Sequence, residues 1–331
     1  MLSSITIGWK AAVVTEQSDP APPQTTRQRL IAIALVCAAV VCFTVIDVGA
    51  KWLTPRHGVL QTTFLRYTSG LFWVLIYINP WRVPDLLQSR MPRLQALRGT
   101  LLLASTGLNF IAIQYLQLAQ TVSIMFMAPL LVSLLAGPIL GEWAGPRRLV
   151  AIAVGFIGVL IITRPGTGAI HPAALFSVLA MFCYAAILLM TRKLSASDSP
   201  ETTMFYSSLL GLVVLLPLVF SFWATPDTLL DWAAIAAIGL GGAMGHWMLI
   251  LAQRSTNAPV LAPFLYTQII WMALAGYLFF GEMPDLWTFV GSGVVISSGL
   301  YLLHRERVRA MEARQRAAMA PHQPSELDRR G

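Results

Sequence analysis

Three ionisable side chains, Asp47, Arg66 and His246, lie inside long apolar stretches of this sequence. An ionisable group inside a membrane costs several kcal/mol unless it is paired or hydrated. Asp47 and Arg66 fall at matching predicted depths, so one interpretation is an ion pair that joins two helices. In a second, Asp47 reaches Lys51 one helical turn away. In a third, Asp47 or Arg66 engages a charged ligand or a proton.

His246 lies in the segment Gly-Gly-Ala-Met-Gly-His-Trp, residues 241–247. A histidine at this depth is a candidate for a proton relay near neutral pH, for a ligand contact, or for a hydrogen-bonded structural residue. Gly241 and Gly245 are four residues apart, which places them on one helix face. We expect another helix to approach that face closely.

Further polar and aromatic side chains fall at similar positions in the apolar stretches. Polar groups are costly against lipid, so we expect them to face the interior and line a cavity with few charges. Tyrosine and tryptophan also suit lipid-facing belts at the membrane interface, which is the ordinary alternative. Beyond the three ionisable residues, the candidate ligand-binding set is Phe43, Asn109, Gln114, Tyr184, Trp247, Tyr266, Gln268 and Trp271.

Two prolines and two glutamates occupy related places in the two halves of the chain. Pro129 and Pro263 are expected to interrupt their helices and to act as hinges, because proline lacks an N–H and clashes with the preceding turn. Glu142 and Glu282 each follow a glycine at the end of an apolar helix. A carboxylate opposes the helix dipole there, so we expect each to have a specific partner and to support structure or a gate.

The composition predicts an all-α integral membrane protein. Apolar residues make up 56% of the 331 residues and charged residues 11%, whereas soluble domains carry about 25% charged residues. The net charge of +8 comes from loops and the C-terminus, so no nucleic-acid partner is expected. The three cysteines all lie in apolar runs, and neither a metal site nor a cofactor is predicted.

About 20 apolar residues cross the hydrocarbon core, and ten stretches approach that length. With both termini cytoplasmic, nineteen Lys and Arg residues lie inside, three lie outside and Arg66 lies within a span. This bias predicts a multi-pass protein of the inner membrane. Residues 1–29 are predicted to be a disordered tail and 305–331 a second cytoplasmic tail. The predicted spans are 30–52, 60–79, 97–117, 120–140, 147–164, 172–191, 203–223, 230–252, 258–280 and 286–304.

The stretch that ends at Gly141-Glu142 is echoed 140 residues later by the stretch that ends at Gly281-Glu282. Repetition at a fixed period indicates a duplicated unit. The two units, 30–164 and 172–304, would each hold five spans. Because five is odd, the second unit would enter the membrane inverted relative to the first.

Both stretches combine an apolar run, a proline, a Gly-Glu pair and a following glycine-punctuated helix: MFMAPLLVSLLAGPILGE and PFLYTQIIWMALAGYLFFGE. In this pattern the chain, from about residue 30 to 305, resembles the EamA-type families of the drug/metabolite transporter superfamily. The resemblance implies a ten-helix inverted-repeat fold, a central cavity and alternating access. The second proline lies six residues earlier relative to its glutamate, so the two halves are expected to line the cavity differently.

The resemblance also implies a secondary transporter, not an enzyme, for a metabolite such as the vitamin riboflavin or an amino-acid derivative such as S-adenosylmethionine. The sequence has no Gly-x-x-x-x-Gly-Lys-Ser/Thr motif, so ATP hydrolysis is not expected and protons are a candidate coupling ion. The expected partners are the small-molecule substrate and the bilayer, with the chain as a monomer or homodimer. The alternatives are a passive channel and a membrane-embedded lipid-modifying enzyme.

Overall fold

The computed structural model describes residues 26–77, 87–140, 145–165, 171–195, 197–255 and 258–319, so that Glu142 and parts of both predicted tails lie outside it. The described residues form eleven α-helices and one 3-10 turn at Phe220–Phe222, with no strand. The helices are α1 Thr26–Tyr77, α2 Pro92–Tyr115, α3 Leu118–Met125, α4 Ala128–Leu140, α5 Pro146–Thr163, α6 Ala174–Leu194, α7 Pro200–Val219, α8 Leu229–Ser255, α9 Ala258–Leu265, α10 Gln268–Phe280 and α11 Leu286–Met319.

Nine segments within the described residues are long and apolar enough to cross a membrane. The first of them, Arg27–Ile76, has 50 residues, which is more than twice the length that one crossing needs. Gly58 interrupts it with φ 73° and ψ 161°, a conformation that glycine adopts readily because it lacks a Cβ. Counted as two spans joined at Gly58, α1 brings the number to ten, and the all-α membrane fold is confirmed.

The second half of the chain repeats the helix boundaries of the first. Helices α3, α4 and α5 begin 140 residues before α9, α10 and α11, respectively. Pairs α3–α4 and α9–α10 are each one span with a break, at residues 126–127 and 266–267. In both breaks an amide bonds to the carbonyl three residues back, at 3.1 Å for Met127 and 3.2 Å for Thr267. The helix therefore tightens into a 3-10 turn and its backbone groups stay bonded.

Residues related by the 140-residue offset meet at the centre of the molecule. Phe126 and Tyr266, one from each break, contact edge to face with ring centroids 4.9 Å apart. The close contact between Gly158 and Gly291 has a symmetry-related counterpart. The 140-residue offset relates Gly158 to Ser298 and Gly291 to Ala151. The Ser298 hydroxyl donates a hydrogen bond to the Ala151 carbonyl. These contacts describe a pseudo-two-fold axis that passes between α5 and α11.

Glycines allow the close helix approaches on which this packing depends. A Cβ at Gly291 of α11 would lie 2.6 Å from Ile162 Cγ1 and 2.7 Å from the Gly158 carbonyl oxygen. On α8, a Cβ at Gly241 would lie 2.8 Å from the Cys42 carbonyl oxygen, and one at Gly245 would lie 2.7 Å from the Phe43 ring. The predicted close-packing face of α8 is thus turned toward α1, as small residues permit in lipid.

Two glycines on α11 allow a matched test of this packing. Gly291→Ala is expected to lower the free energy of unfolding by about 1–3 kcal/mol, because the added methyl group overpacks a backbone contact. Thermal unfolding of the purified protein in detergent measures the effect. Gly293→Ala is the control, since a Cβ there meets no atom within 4 Å. Equal melting temperatures for the two variants would contradict the close α5–α11 contact.

Candidate functional site: a cavity between the two halves

A cavity of about 420 Å³ lies among helices of both halves. Helices α1 and α2 of the first half and α6, α7 and α8 of the second contribute its walls. Its volume is within the range of about 300–1,000 Å³ that small-molecule sites occupy. The cavity extends from Arg66 and His246, inside their helices, to the loop between α6 and α7 at Asp198.

Two arginines and three aromatic rings form the part of the cavity within the helices. Arg66 and Tyr67 come from α1, Arg98 from α2, Tyr184 from α6 and His246 from α8. Tyr67 is held by a hydrogen bond of 3.1 Å between its hydroxyl and that of Thr106. The wall therefore combines flat rings, suited to stacking, with guanidinium groups suited to an anion.

Arg98 is oriented by two hydroxyl groups that carry no charge. Its Nε donates to Thr191 Oγ1 at 2.7 Å, and its Nη1 donates to Ser207 Oγ at 2.6 Å. Both hydroxyls donate hydrogen bonds to helix carbonyls, Thr191 to that of Ile187 and Ser207 to that of Thr203. They are thus arranged to accept from the guanidinium, and no carboxylate within the described residues forms a salt bridge with Arg98.

Asp47 and Arg66 do not make the predicted direct salt bridge, although the charge of Arg66 acts on Asp47 at longer range. Asp47 Oδ1 instead accepts from Asn109 Nδ2 at 3.2 Å, and no salt bridge within the described residues involves Arg66. The second interpretation is also wrong, because Lys51 binds Glu282 and not Asp47. Arg66 contacts the Tyr67 ring, with Cζ 5.1 Å from the centroid, while its buried Nε makes no hydrogen bond.

Asp198 ties two loops together at the mouth of the cavity. Its carboxylate accepts from Gln95 Nε2 at 2.9 Å and from the backbone N–H of Arg90 at 3.1 Å, and also from the hydroxyls of Ser89 and Ser197. Burial alone would raise the pKa of Asp198, but these hydrogen bonds outweigh it and hold the pKa below its ordinary value. Asp198 is therefore charged at neutral pH, with its oxygens already occupied.

A second carboxylate closes the opposite side of the helix bundle. Helix α2 reaches from Asp198 at its N-terminal end to Lys51 at its C-terminal end, where Lys51 Nζ donates to the Leu116 carbonyl oxygen at 2.6 Å. Lys51 also forms a salt bridge with Glu282, and the other oxygen of Glu282 accepts from the Leu118 N–H at 3.3 Å. Glu282 therefore contacts the N-terminus of α3, a favourable partner for a carboxylate.

Two further ion pairs lie on the same side as Glu282. Arg56 Nη1 is 3.1 Å from Asp231 Oδ1, and Arg164 pairs with Asp285 at the start of α11. Burial alone would raise the pKa of Asp285, but hydrogen bonds from Thr288 and the charge of Arg164 lower it overall. Three cross-links between helices therefore join this side, whereas the cavity reaches the other.

The remaining sequence-predicted residues divide between the edge of the cavity, the core and the outer surface. Phe43 packs against His246, with ring centroids 5.2 Å apart. Tyr266 is buried in the core against Phe126 and does not line the cavity. Trp271 is 39% exposed on the outer surface of α10. The residues Asn109, Gln114, Trp247 and Gln268 are half-buried outside the cavity wall, and Pro129 and Pro263 are exposed beside the two breaks.

Sequence reasoning missed Arg98 as a cavity residue. The predicted span begins at residue 97, so Arg98 falls at its first turn and is counted among the cytoplasmic charges. Helix α2 begins five residues earlier, with Pro92 in its first turn, so Arg98 lies in the second turn and faces inward. Proline at the first position of a helix was the available signal. Within the described residues, no group of three His, Cys, Asp or Glu side chains comes together that could hold a metal.

A second pocket, of about 410 Å³, lies between α5 and α11. It is an outward-facing groove with a mostly apolar lining, including Val150, Val154 and Tyr301. Val150 is 64% and Tyr301 47% exposed, as expected for side chains that face lipid. This groove contains none of the candidate ligand-binding residues, so the cavity between the halves is the better candidate site.

Proteins with similar sequences are named as transporters. The chain is 27% identical over 264 residues to an S-adenosylmethionine uptake transporter of Rickettsia prowazekii, which covers 79% of this chain and 88% of the relative. It is 27% identical to a riboflavin transporter of Vibrio cholerae, with 82% and 92% covered. A pseudopaline exporter of Pseudomonas aeruginosa is 26% identical, with 83% and 96% covered.

Comparison with solved structures supports the fold. A crystal structure superposes with a TM-score of 0.59 over 85% of this chain and 98% of its own length, at 14% identity. Identity this low indicates a shared fold and carries no information on the substrate. The EamA-like transporter family matches two segments, 30–164 and 171–303, which together cover most of the sequence. With its nine apolar helical segments, the chain is a multi-pass membrane protein that belongs to the EamA-like transporter family.

Proposed function

We propose that this protein is a secondary transporter that carries a small organic metabolite across the inner membrane by alternating access. The observation that carries the proposal is the cavity of about 420 Å³ built from both halves of the chain. In transporters with inverted repeats the substrate site lies at the repeat interface near the middle of the membrane. The relatives named for S-adenosylmethionine and riboflavin make these two compounds the first candidates.

The charge distribution supports a cytoplasmic position for the mouth of the cavity. Arg192 and Lys193 end α6 next to the Asp198 loop, and the excess of Lys and Arg lies on this side. The side closed by Lys51–Glu282, Arg56–Asp231 and Arg164–Asp285 then faces the periplasm. In this orientation, the described conformation is open to the cytoplasm.

Asp47 is our candidate for proton coupling. Its only hydrogen-bond donor within the described residues is the Asn109 amide, and it forms no salt bridge, although the charge of Arg66 acts on it at longer range. A carboxylate inside a membrane protein that is not locked in a salt bridge is suited to exist in both protonation states. His246 is the second candidate, since its imidazole lines the cavity against Phe43.

Counterflow in proteoliposomes tests the transporter proposal. Vesicles preloaded with unlabelled S-adenosylmethionine or riboflavin should take up the same labelled compound faster than unloaded vesicles, with saturation. Trans-stimulation is expected because a carrier returns faster when it is occupied. Empty liposomes are the control. Linear, non-saturating uptake would favour a channel, and a modified lipid product would favour a membrane enzyme.

Breaking the Lys51–Glu282 pair is expected to destabilise the protein. Glu282→Gln leaves a lysine whose side chain is 9% exposed without its counter-ion, and loss of one partner of a buried pair costs about 3–5 kcal/mol. The double variant Lys51→Met/Glu282→Leu should recover much of that loss. Arg93→Gln is the control, because Arg93 is exposed on α2 and its replacement should cost less than about 1 kcal/mol.

Thermal unfolding of these variants measures the stability part of this prediction, and counterflow measures the transport part. If the pair is a gate, the double variant regains its melting temperature but exchanges substrate at an altered rate. A double variant as unstable as Glu282→Gln would contradict the expected compensation.

The variant Asp47→Asn distinguishes a role of Asp47 in proton coupling from a role in folding. The substituted amide keeps an acceptor for Asn109 Nδ2 and removes the titratable group. We therefore expect pH-gradient-driven accumulation to fall to the background of empty vesicles, while counterflow and membrane abundance stay near wild type. His246→Gln is the parallel variant for the second candidate. If Asp47→Asn lowered abundance and both transport modes equally, its role would be structural.

A further inference from the structure

Two guanidinium groups line one cavity without a carboxylate partner. No salt bridge within the described residues involves Arg66 or Arg98, although Arg56, Arg164 and Lys51 elsewhere in the spans each have one. A cation inside a membrane protein is stabilised by water, by a polar wall or by an anion. For Arg98 the wall supplies two hydroxyls. For Arg66 it supplies the face of Tyr67.

The acidic groups nearest to the cavity are already engaged. Asp198 at the mouth accepts four hydrogen bonds, from Ser89, Arg90, Gln95 and Ser197. Asp47 does not line the cavity and accepts a hydrogen bond from Asn109; the charge of Arg66 acts on it, but the two groups form no salt bridge. The described part of the wall is therefore electropositive, and it is not matched to a substrate with net positive charge.

Arg66 has the geometry of a group that awaits a planar oxyanion. Its buried Nε makes no hydrogen bond to the described protein, and its terminal amino groups, in the cavity wall, can donate side by side to one ligand. A carboxylate accepts two such bonds side by side, and charge-assisted pairs of this kind are stronger than neutral ones. Arg98, with two of its nitrogens bound to Thr191 and Ser207, is fixed in orientation and keeps its remaining donors.

We propose that Arg66 and Arg98 bind the carboxylate of the transported metabolite, and that the substrate is an organic acid or an amino-acid derivative without net positive charge. This inference rests on the transporter function proposed above and narrows its substrate class. Tyr67, Tyr184 and His246 line the same cavity, where they would contact the rest of the substrate. Neutral riboflavin, and S-adenosylmethionine with its sulfonium and ammonium charges, each fit this wall less well than an organic anion does.

Ligand-induced thermal stabilisation of the full-length protein in detergent tests the proposal without knowledge of the natural substrate. The probes are matched pairs that differ in the carboxylate: succinate and succinamide, L-tryptophan and tryptamine, and S-adenosylmethionine and its decarboxylated form. Riboflavin and riboflavin 5′-phosphate are added as a neutral compound and a phosphate anion. A ligand that binds the folded state raises the melting temperature with concentration, which gives its affinity.

We expect at least one carboxylate member, and not its partner without the carboxylate, to raise the melting temperature of the wild type. Arg66→Gln and Arg98→Gln should each weaken that response at least about 10-fold, the loss expected for a charge-assisted hydrogen bond. Arg66→Lys keeps the charge but not the planar fork, so an intermediate response is expected. Arg93→Gln is the control, since Arg93 lies on the exposed face of the same helix as Arg98.

Several results would overturn the proposal. These are equal stabilisation by the partners without a carboxylate, stabilisation by riboflavin 5′-phosphate alone, no stabilisation by any carboxylate probe, or an unchanged response of both glutamine variants. If the arginines serve only the fold, the variants will melt lower without ligand yet keep the wild-type response. Saturable counterflow of riboflavin by a protein that ignores carboxylates would overturn this inference and leave the transporter function standing. A failure of counterflow with every probe would count against the transporter function itself.

Discussion

The absence of water in the hydrocarbon core is the constraint from which this structure follows. Each backbone N–H and C=O must be bonded within its own segment, so the described chain is helical wherever it crosses. The exceptions are informative. At residues 126–127 and 266–267 the helices break, yet the amides of Met127 and Thr267 still reach carbonyls three residues back. The two breaks also face each other through Phe126 and Tyr266, so that irregular backbone is covered by protein and not by lipid.

The same constraint sorts the charges of the molecule into two groups. Lys51 and Arg56 precede the interruption of α1 at Gly58, Arg164 follows α5, and each of the three pairs with a carboxylate from the second half of the chain. These pairs connect the halves where the bundle is closed. Arg66 and Arg98 lie deeper, around the cavity, without such partners. The cations on the closed side are thus paired with carboxylates, whereas the two cavity arginines form no salt bridge within the described residues. This pattern is expected of a site in which a bound ligand supplies the counter-ion.

Much of the architecture could be predicted from the sequence, because lipid imposes strong and simple rules. The offset between the Gly-Glu pairs matches the offset between helix starts, since a duplicated unit must satisfy the same packing. The site was less predictable. Asp47 and Arg66 match in depth, but depth does not fix the rotation of a helix about its axis, and Asp47 turned out to face Asn109. Tyr266 is polar at its tip, yet its ring fills the space above Gly299 in the core.

The repeat also explains how one chain can contain two equivalent sets of residues, each able to close one face of the helix bundle. The closed side uses a cation in α1, a glutamate after a broken span and the N-terminus of the other broken span: Lys51, Glu282 and Leu118. In the sequence, Arg192 follows Lys51 by 141 residues, and Glu142 precedes Glu282 by 140. In an inverted unit, residues at these sequence positions would be expected toward the opposite face. Alternating access would then need no new chemistry, since the two faces can exchange equivalent sets of contacts about the axis through Phe126 and Tyr266. The energy difference between the two conformations would be small, because what one face loses on opening the other regains on closing.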